Sequence, residues 1–258
     1  GGPIRFDVAG TERWEMIGTR LQPQNTGGSL FIGENAGASD DLSDNYNIFI
    51  GDSAGYTNTV GRENTANGNQ SLVLNTTGNW NTASGYRSLH DNTTGSSNVA
   101  NGWRSLYSNT TGNGNTASGV QTSFYNTTGS FNTSHGYNSF FANTSGSYNT
   151  VIGAFADVGT GNLTNATAIG SYAMVNTSNS LVLGSVAGVN GASQSVNVGV
   201  GTVSPAARLH VVGSPTMGEL LIAPNEPFAG DSSMLLFAED QDGTFGMFWL
   251  YDLSLIHI

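Results

Sequence analysis

A small or apolar residue recurs at a nearly fixed step along most of this chain: Phe31, Phe49, Ala66, Ala83, Ala100, Ala117, Ser134, Val151, Ala168 and Val182. Each stands two places before a glycine, and those glycines form a column of their own: Gly33, Gly51, Gly68, Gly85, Gly102, Gly119, Gly136, Gly153, Gly170 and Gly184. The step is 17 residues from Gly51 to Gly170, after one step of 18 and before one of 14. Side chains alternate faces along a strand, so the small column points into a coil and the residue between it and the glycine points out. That outer column is apolar at its ends (Ile32, Ile50, Ile152, Ile169, Leu183) and polar in its middle (Asn67, Ser84, Asn101, Ser118, His135).

Between Asn64 and Tyr148 the step becomes one sentence written five times, from NTANGNQSLVLNTTGNW to NTSHGYNSFFANTSGSY. A unit this short cannot bury its own apolar face and must stack on its neighbours, so the pattern predicts a solenoid. The second half of each copy carries a hydroxyl column (Ser71, Ser88, Ser105, Thr122, Ser139) followed by Leu72, Leu89, Leu106, Ser123 and Phe140. An NTTG or NTSG corner closes it, where Asn and Gly tolerate positive φ and hydroxyls satisfy backbone groups. Two short strands and two turns per copy predict an all-β, flattened parallel β-roll, roughly ten coils and some 50 Å long at about 4.8 Å per coil.

Such a coil is thin. Each offers two or three buried side chains, at roughly 1.5–3 kcal/mol each, against a cost of roughly 1–2 kcal/mol for every residue ordered. Association of several chains would supply the missing burial, and Tyr86, Trp103 and Tyr137, just after the glycines, form one candidate contact surface. The rest of the chain frames the roll. Residues 1–29 read as a β entry segment, 30–195 as the roll, 196–215 as a connector and 216–258 as the start of a β head. The absence of an initiator Met and the apolar run at Ile258 lead us to expect an excerpt of a longer protein.

Charge narrows the partners. Only 10% of the 258 residues are charged, the net charge is −11, and all seven basic residues are Arg with no basic stripe, which argues against nucleic acid. There is no Cys, and no apolar run approaches the length of a membrane span, so no membrane insertion is expected.

Several motifs read as chemistry and then dissolve into the repeat. Gly51-Asp52-Ser53-Ala54-Gly55 fits a nucleophile elbow, yet Gly33-Glu34-Asn35-Ala36-Gly37 is the same place one coil earlier without the Ser. Asp40, Asp41 and Asp44, and the run Asp240 to Gly243, lack the spacing of a Ca²⁺ loop and read as solvated turns. His90 and His135 occupy different columns, so no metal site is expected from them. The sequons at Asn75, Asn92, Asn109 and Asn126 follow from the corner itself. Threonine columns raise ice binding as a remote alternative, but Thr76 and Thr77 are adjacent and would point apart. No enzyme activity and no cofactor are expected.

The columns NIFIG (Asn47 to Gly51), NTVIG (Asn149 to Gly153), ATAIG (Ala166 to Gly170) and NSLVLG (Asn179 to Gly184), with Gly-x-x-Ser at Gly85 to Ser88, resemble the heads of YadA-like trimeric autotransporters. The 17-residue form resembles repeats of phage tail fibres and of Bacteroidetes surface proteins. The stretch GTVSPAARLHV (Gly201 to Val211) is similar to the connector that precedes a distal head or self-cleaving chaperone in such fibres, and DVAGTERWEMIG (Asp7 to Gly18) to their entry segments. The resemblance implies a left-handed, homotrimeric roll in an extracellular fibre, on a phage virion or a bacterial cell surface. A cell-anchored autotransporter-type adhesin is the alternative. The roll would be a rigid spacer, with a surface glycan or protein as receptor. Beyond Pro215 aromatic and acidic residues interleave, and Phe245, Trp249, Tyr251, Asp240 and Asp242 are the candidate receptor contacts.

Overall fold

A computed structural model describes residues 27–211, together with the backbone of three strands ahead of them. Those strands, β1 (Ile4–Val8), β2 (Thr11–Ile17) and β3 (Arg20–Pro23), form an antiparallel sheet in which Val8 pairs with Thr11 and Ile17 with Arg20. All three fall within the stretch read as an entry segment. The solenoid follows with β4 (Leu30–Ile32), β5 (Ile48–Ile50), β6 (Thr65–Asn67), β7 (Thr82–Ser84), β8 (Val99–Asn101), β9 (Thr116–Ser118), β10 (Thr133–His135), β11 (Thr150–Ile152), β12 (Asp157–Val158), β13 (Thr167–Ile169), β14 (Met174–Val175) and β15 (Leu181–Leu183). All but β12 and β14 stack into one ten-stranded parallel sheet, in chain order, with each strand in register with the next. The described part of the chain is all β, a parallel solenoid of 17-residue coils.

The chain divides into two compact units between Asn197 and Val198. In the second, β16 (Val198–Val200) pairs in parallel with β17 (Leu209–Val211), on either side of Pro205. The candidate contacts Asp240, Asp242, Phe245, Trp249 and Tyr251, and the turn read at Asp240 to Gly243, lie outside the described residues.

One expectation needs correction. The second wall of a coil is a strand only at β12 and β14, which pair with each other; from Gly68 to Phe140 it is a chain of tight turns. The cause is a pair of left-handed residues in each coil, such as Gln70 and Leu72 (φ 54° and 53°) or Arg104 and Leu106 (φ 54° and 49°). Alternation of handedness points the N–H groups of Leu72 and Leu74 at the carbonyls of Ser88 and His90 in the next coil, so a backbone ladder runs up this wall without strand geometry. A left-handed Leu is uncommon, and the conformation costs roughly 1–2 kcal/mol per residue. Complete burial of Leu72, Leu89, Leu106 and Phe140 offsets it.

The interior is a narrow stack of side chains, one from each wall of a coil. Phe49, Ala66, Ala83, Ala100, Ala117, Val151 and Ala168 are fully buried, as the sequence pattern requires, and the intervening outer column is exposed at Ile32, Ile152, Ile169 and Leu183. Two apolar clusters, one ending at Ala117 and the other beginning at Phe140, flank a buried group of hydroxyls. There the Ser134 hydroxyl lies 2.7 Å from that of Ser123 and 3.0 Å from that of Thr122, which in turn lies 2.6 Å from that of Ser139. Satisfied in this way, the hydroxyls are buried without the penalty of an unpaired polar group.

Candidate functional site

Two of the coil's features hold the stack together, and what they leave outside is the surface available for function. The first is the glycine column. Gly85 has φ +126°, a region only glycine occupies readily, and a Cβ placed there would lie 2.7 Å from the carbonyl oxygen of Gly102. Gly33 through Gly170 repeat that approach, each against the next column glycine; Gly184 ends the series with φ +80° against the side chain of Val196. The hydroxyl three residues on explains Gly-x-x-Ser: Ser71 donates to the Gly68 carbonyl at 2.8 Å and Ser88 to that of Gly85 at 3.0 Å.

The second feature is a pair of buried asparagine columns that sequence reasoning took for turn chemistry. Neither Asn75 nor Gly78 has a positive φ. Asn64 and Asn75, both fully buried, donate from Nδ2 to the same Gly78 carbonyl, at 2.8 and 3.0 Å. Along one column Asn75 donates to Asn58 Oδ1 at 2.7 Å, Asn92 to Asn75 and Asn109 to Asn92. Along the other, the backbone N–H of Asn81 donates to Asn64 Oδ1 at 2.9 Å and that of Asn98 to Asn81 Oδ1. The corner Gly is needed for space, because a Cβ on Gly78 would strike the carbonyl of Gly95 and the amide of Asn75. The sequon amides at Asn75, Asn92, Asn109 and Asn126 are thus buried and hydrogen-bonded inside the stack.

The acidic cluster at the first corner has a structural role in the same network. Asp40 occupies the asparagine slot of its coil, and its carboxylate accepts from the amides of Asn47 at 3.3 Å and Asn58 at 3.5 Å. The amide column is directional, every donor pointing toward the N-terminal end, and Asp40 is the acceptor that ends it. Asp41 takes the Ser43 hydroxyl at 2.7 Å and its N–H at 3.0 Å, which hold its carboxyl below the usual range. Ser53 is a left-handed residue in the slot that Asn35 and Gln70 fill in neighbouring coils, and its hydroxyl donates to Asp52. His90 lies 2.6 Å from Asp91, whereas His135 is on the outer strand face. Among the described residues no group of three His, Asp or Glu side chains is placed to hold a metal.

What remains outside is two contrasting faces. On the strand face, apolar side chains sit at both ends, with Ile48 41% exposed at one end and Leu181 59% exposed at the other, and Thr, Asn and Ser between. On the opposite wall, aromatic side chains stack from coil to coil: His90 on Tyr107, Tyr107 on Phe124 at 5.0 Å and Phe124 on Phe141. The expected aromatic column, Tyr86, Trp103 and Tyr137, is exposed in the turns that follow the glycine column. Corner aromatics lie over the preceding coil: Tyr46 covers Gly28 and Phe131 covers Gly114. At the corners the Thr76 hydroxyl donates to the Thr93 carbonyl, leaving Thr77 exposed.

No family model, curated protein or solved structure matches this chain.

Proposed function

We propose that the solenoid is the shaft of a homotrimeric, extracellular fibre or adhesin, of the kind borne on phage tails, which holds a distal region against a surface glycan or protein. A cell-anchored bacterial adhesin is the alternative setting for the same shaft. The observation that carries the reading is the strand face: Ile32, Ile48, Ile152, Ile169, Leu181 and Leu183 are 38–59% exposed at the two ends of a sheet whose interior is already full. A lone rod leaves these side chains in water, and copies packed face to face bury them while the central Thr and Asn side chains hydrogen-bond across.

The mechanism is mechanical. Three identical tips at the end of one stiff shaft add weak contacts through effective concentration, and neither a cofactor nor a reaction is involved. Light scattering on the whole chain at micromolar concentration is expected to return three times the chain mass, and a folded monomer overturns the proposal. A chain ending at Gly213 is expected to stay trimeric and to bind receptor-bearing cells far more weakly.

One observation favours a second reading. On the strand face Thr65, Thr82, Thr116, Thr133, Thr150 and Thr167 stand in one straight column, interrupted by Val99. A regular hydroxyl column is one element an ice-binding surface would use. Thermal hysteresis in a solution of the whole chain supports that reading, and its absence removes it.

A further inference from the structure

Arg87 and Arg104 occupy the same slot in adjacent coils, where neighbouring coils supply Gln70, Gln121 and Asn138. Their backbones are one coil apart, roughly 5 Å, so two like charges stand directly above one another, an arrangement that costs stability in any ladder. Among the described residues neither forms an ion pair: Asp91 is held by His90 at 2.6 Å, and Asp52 takes the amide of Asn69 at 3.0 Å. The Nε of Arg87 donates to Gln70 at 2.7 Å, whereas the Nε of Arg104 is buried with no hydrogen-bond partner.

Each guanidinium also lies over an exposed ring. Arg87 sits 5.1 Å from the centroid of Tyr86, and Arg104 sits 4.6 Å from Trp103 and 5.7 Å from Tyr107. Stacking restrains each planar fork against its ring, and a guanidinium fork held in this way can meet a carboxylate bidentately. Tyr86 and Trp103 remain 38% and 39% exposed, and their ring edges and free faces can pack on the apolar C–H face of a sugar. We infer that Tyr86, Arg87, Trp103 and Arg104 form a lateral binding site for a carboxylate-bearing glycan. The site lies in the turns just after Gly85 and Gly102, outside the strand face that the trimer proposal uses.

Biolayer interferometry with the whole chain tests it, using immobilised polygalacturonate, neutral dextran, dextran sulfate and polyglutamate. Polygalacturonate is expected to bind in a salt-sensitive manner and dextran not to bind. Arg87→Gln and Arg104→Gln are each expected to weaken the complex at least about tenfold, the worth of one charge-assisted hydrogen bond, and Trp103→Ala to weaken it as well. Gln is native to this slot in neighbouring coils, so Arg87→Gln should fold, with a melting temperature no lower than that of the parent chain. No binding of polygalacturonate at millimolar sugar overturns the site, as does binding unchanged in both Arg variants. Equal affinity for dextran sulfate or for polyglutamate overturns the glycan carboxylate in favour of polyanions in general or an acidic protein. A lower melting temperature for Arg87→Gln makes that arginine structural and removes the repulsion on which the inference rests.

Discussion

A Cβ placed on Gly55 would come within 2.5 Å of the ring of Phe49. The two positions share one space: Phe31 faces Gly37 and Phe49 faces Gly55, whereas in the next coils Ala66, Ala83 and Ala100 share the same slots with Leu72, Leu89 and Leu106, and Ser134 with Phe140. In these coils one large and one small residue fill the interior, in either order, whereas Ala117 and Ser123 are both small where the buried hydroxyls replace apolar packing. Gly55→Leu alone overpacks the coil and is expected to prevent a stable fold. Phe49→Ala alone opens a cavity and is expected to cost about 3–5 kcal/mol. Combined, Phe49→Ala/Gly55→Leu reproduces the pair found at Ala66 and Leu72 and should recover most of the loss, read as a strongly non-additive cycle in urea melts. Additive losses would show that the two slots are independent.

The asparagine columns predict a cost out of proportion to one surface-like corner. Asn92→Leu removes the donors that reach Asn75 Oδ1 and the Gly95 carbonyl, both buried, though Asn81 still donates to Gly95 at 2.9 Å. We expect a loss of about 2–4 kcal/mol by denaturant unfolding. Thr77→Ala, at an exposed corner position, should cost less than about 0.5 kcal/mol. Equal effects of the two would reduce the ladder to ordinary turn chemistry.

The period, the buried column and the glycine column were legible because strand alternation and a fixed step leave few ways to stack. The second wall was not. Leu72, Leu89 and Leu106 sit among residues with strand propensity, and no sequence signal marks a left-handed leucine, whose strain is overruled by tertiary packing. The role of Asn75 was hidden by its own type, since Asn at a corner is ordinarily a turn former. The signal that could have revealed it is invariance across the copies: turn positions vary among Gly, Asn, Asp and Ser, while Asn58, Asn75, Asn92, Asn109, Asn126 and Asn143 never do. For the candidate binding site the trace was Tyr86-Arg87 recurring as Trp103-Arg104 one step later, an aromatic and a cation in the same slots of consecutive copies.

Asp157 predicts a pH dependence for the solenoid's stability. It is 9% exposed, and burial pushes its carboxyl up to about 6, opposed in part by hydrogen bonds from the N–H groups of Val158 and Ala142. In the unfolded chain the group titrates near 3.8, so the folded state holds its proton more tightly. The stabilisation is complete below about pH 4 and is lost as pH rises through 6, a fall of up to about 3 kcal/mol. Asp157→Asn keeps an acceptor for both N–H groups and carries no charge. It should flatten the difference between melts at pH 4 and pH 7, and an unchanged slope would show that the carboxyl is not held protonated.

Register is the sharpest test of the solenoid. Removing residues 98–114 deletes one whole coil: Asn115 then follows Asn81, Asn126 follows Asn92 and Gly119 follows Gly85, so every column closes over the gap. Removing residues 98–105 alone deletes half a coil. Leu106 then falls in the buried asparagine slot of Asn98, and Thr110 falls in the glycine slot of Gly102, where φ is +131° and any Cβ would meet the carbonyl of Gly119. The same contact makes Gly102→Val a local version of the shorter deletion, with an expected loss above about 4 kcal/mol. We expect the whole-coil deletion to unfold cooperatively within a few degrees of the parent chain, because each coil contacts only its neighbours. The half-coil deletion, although it removes fewer residues, should be unfolded or aggregated. Equal melting temperatures for the two deletions would mean that the coils are not held by column register, and the stack described by the glycine and asparagine ladders would have to be abandoned.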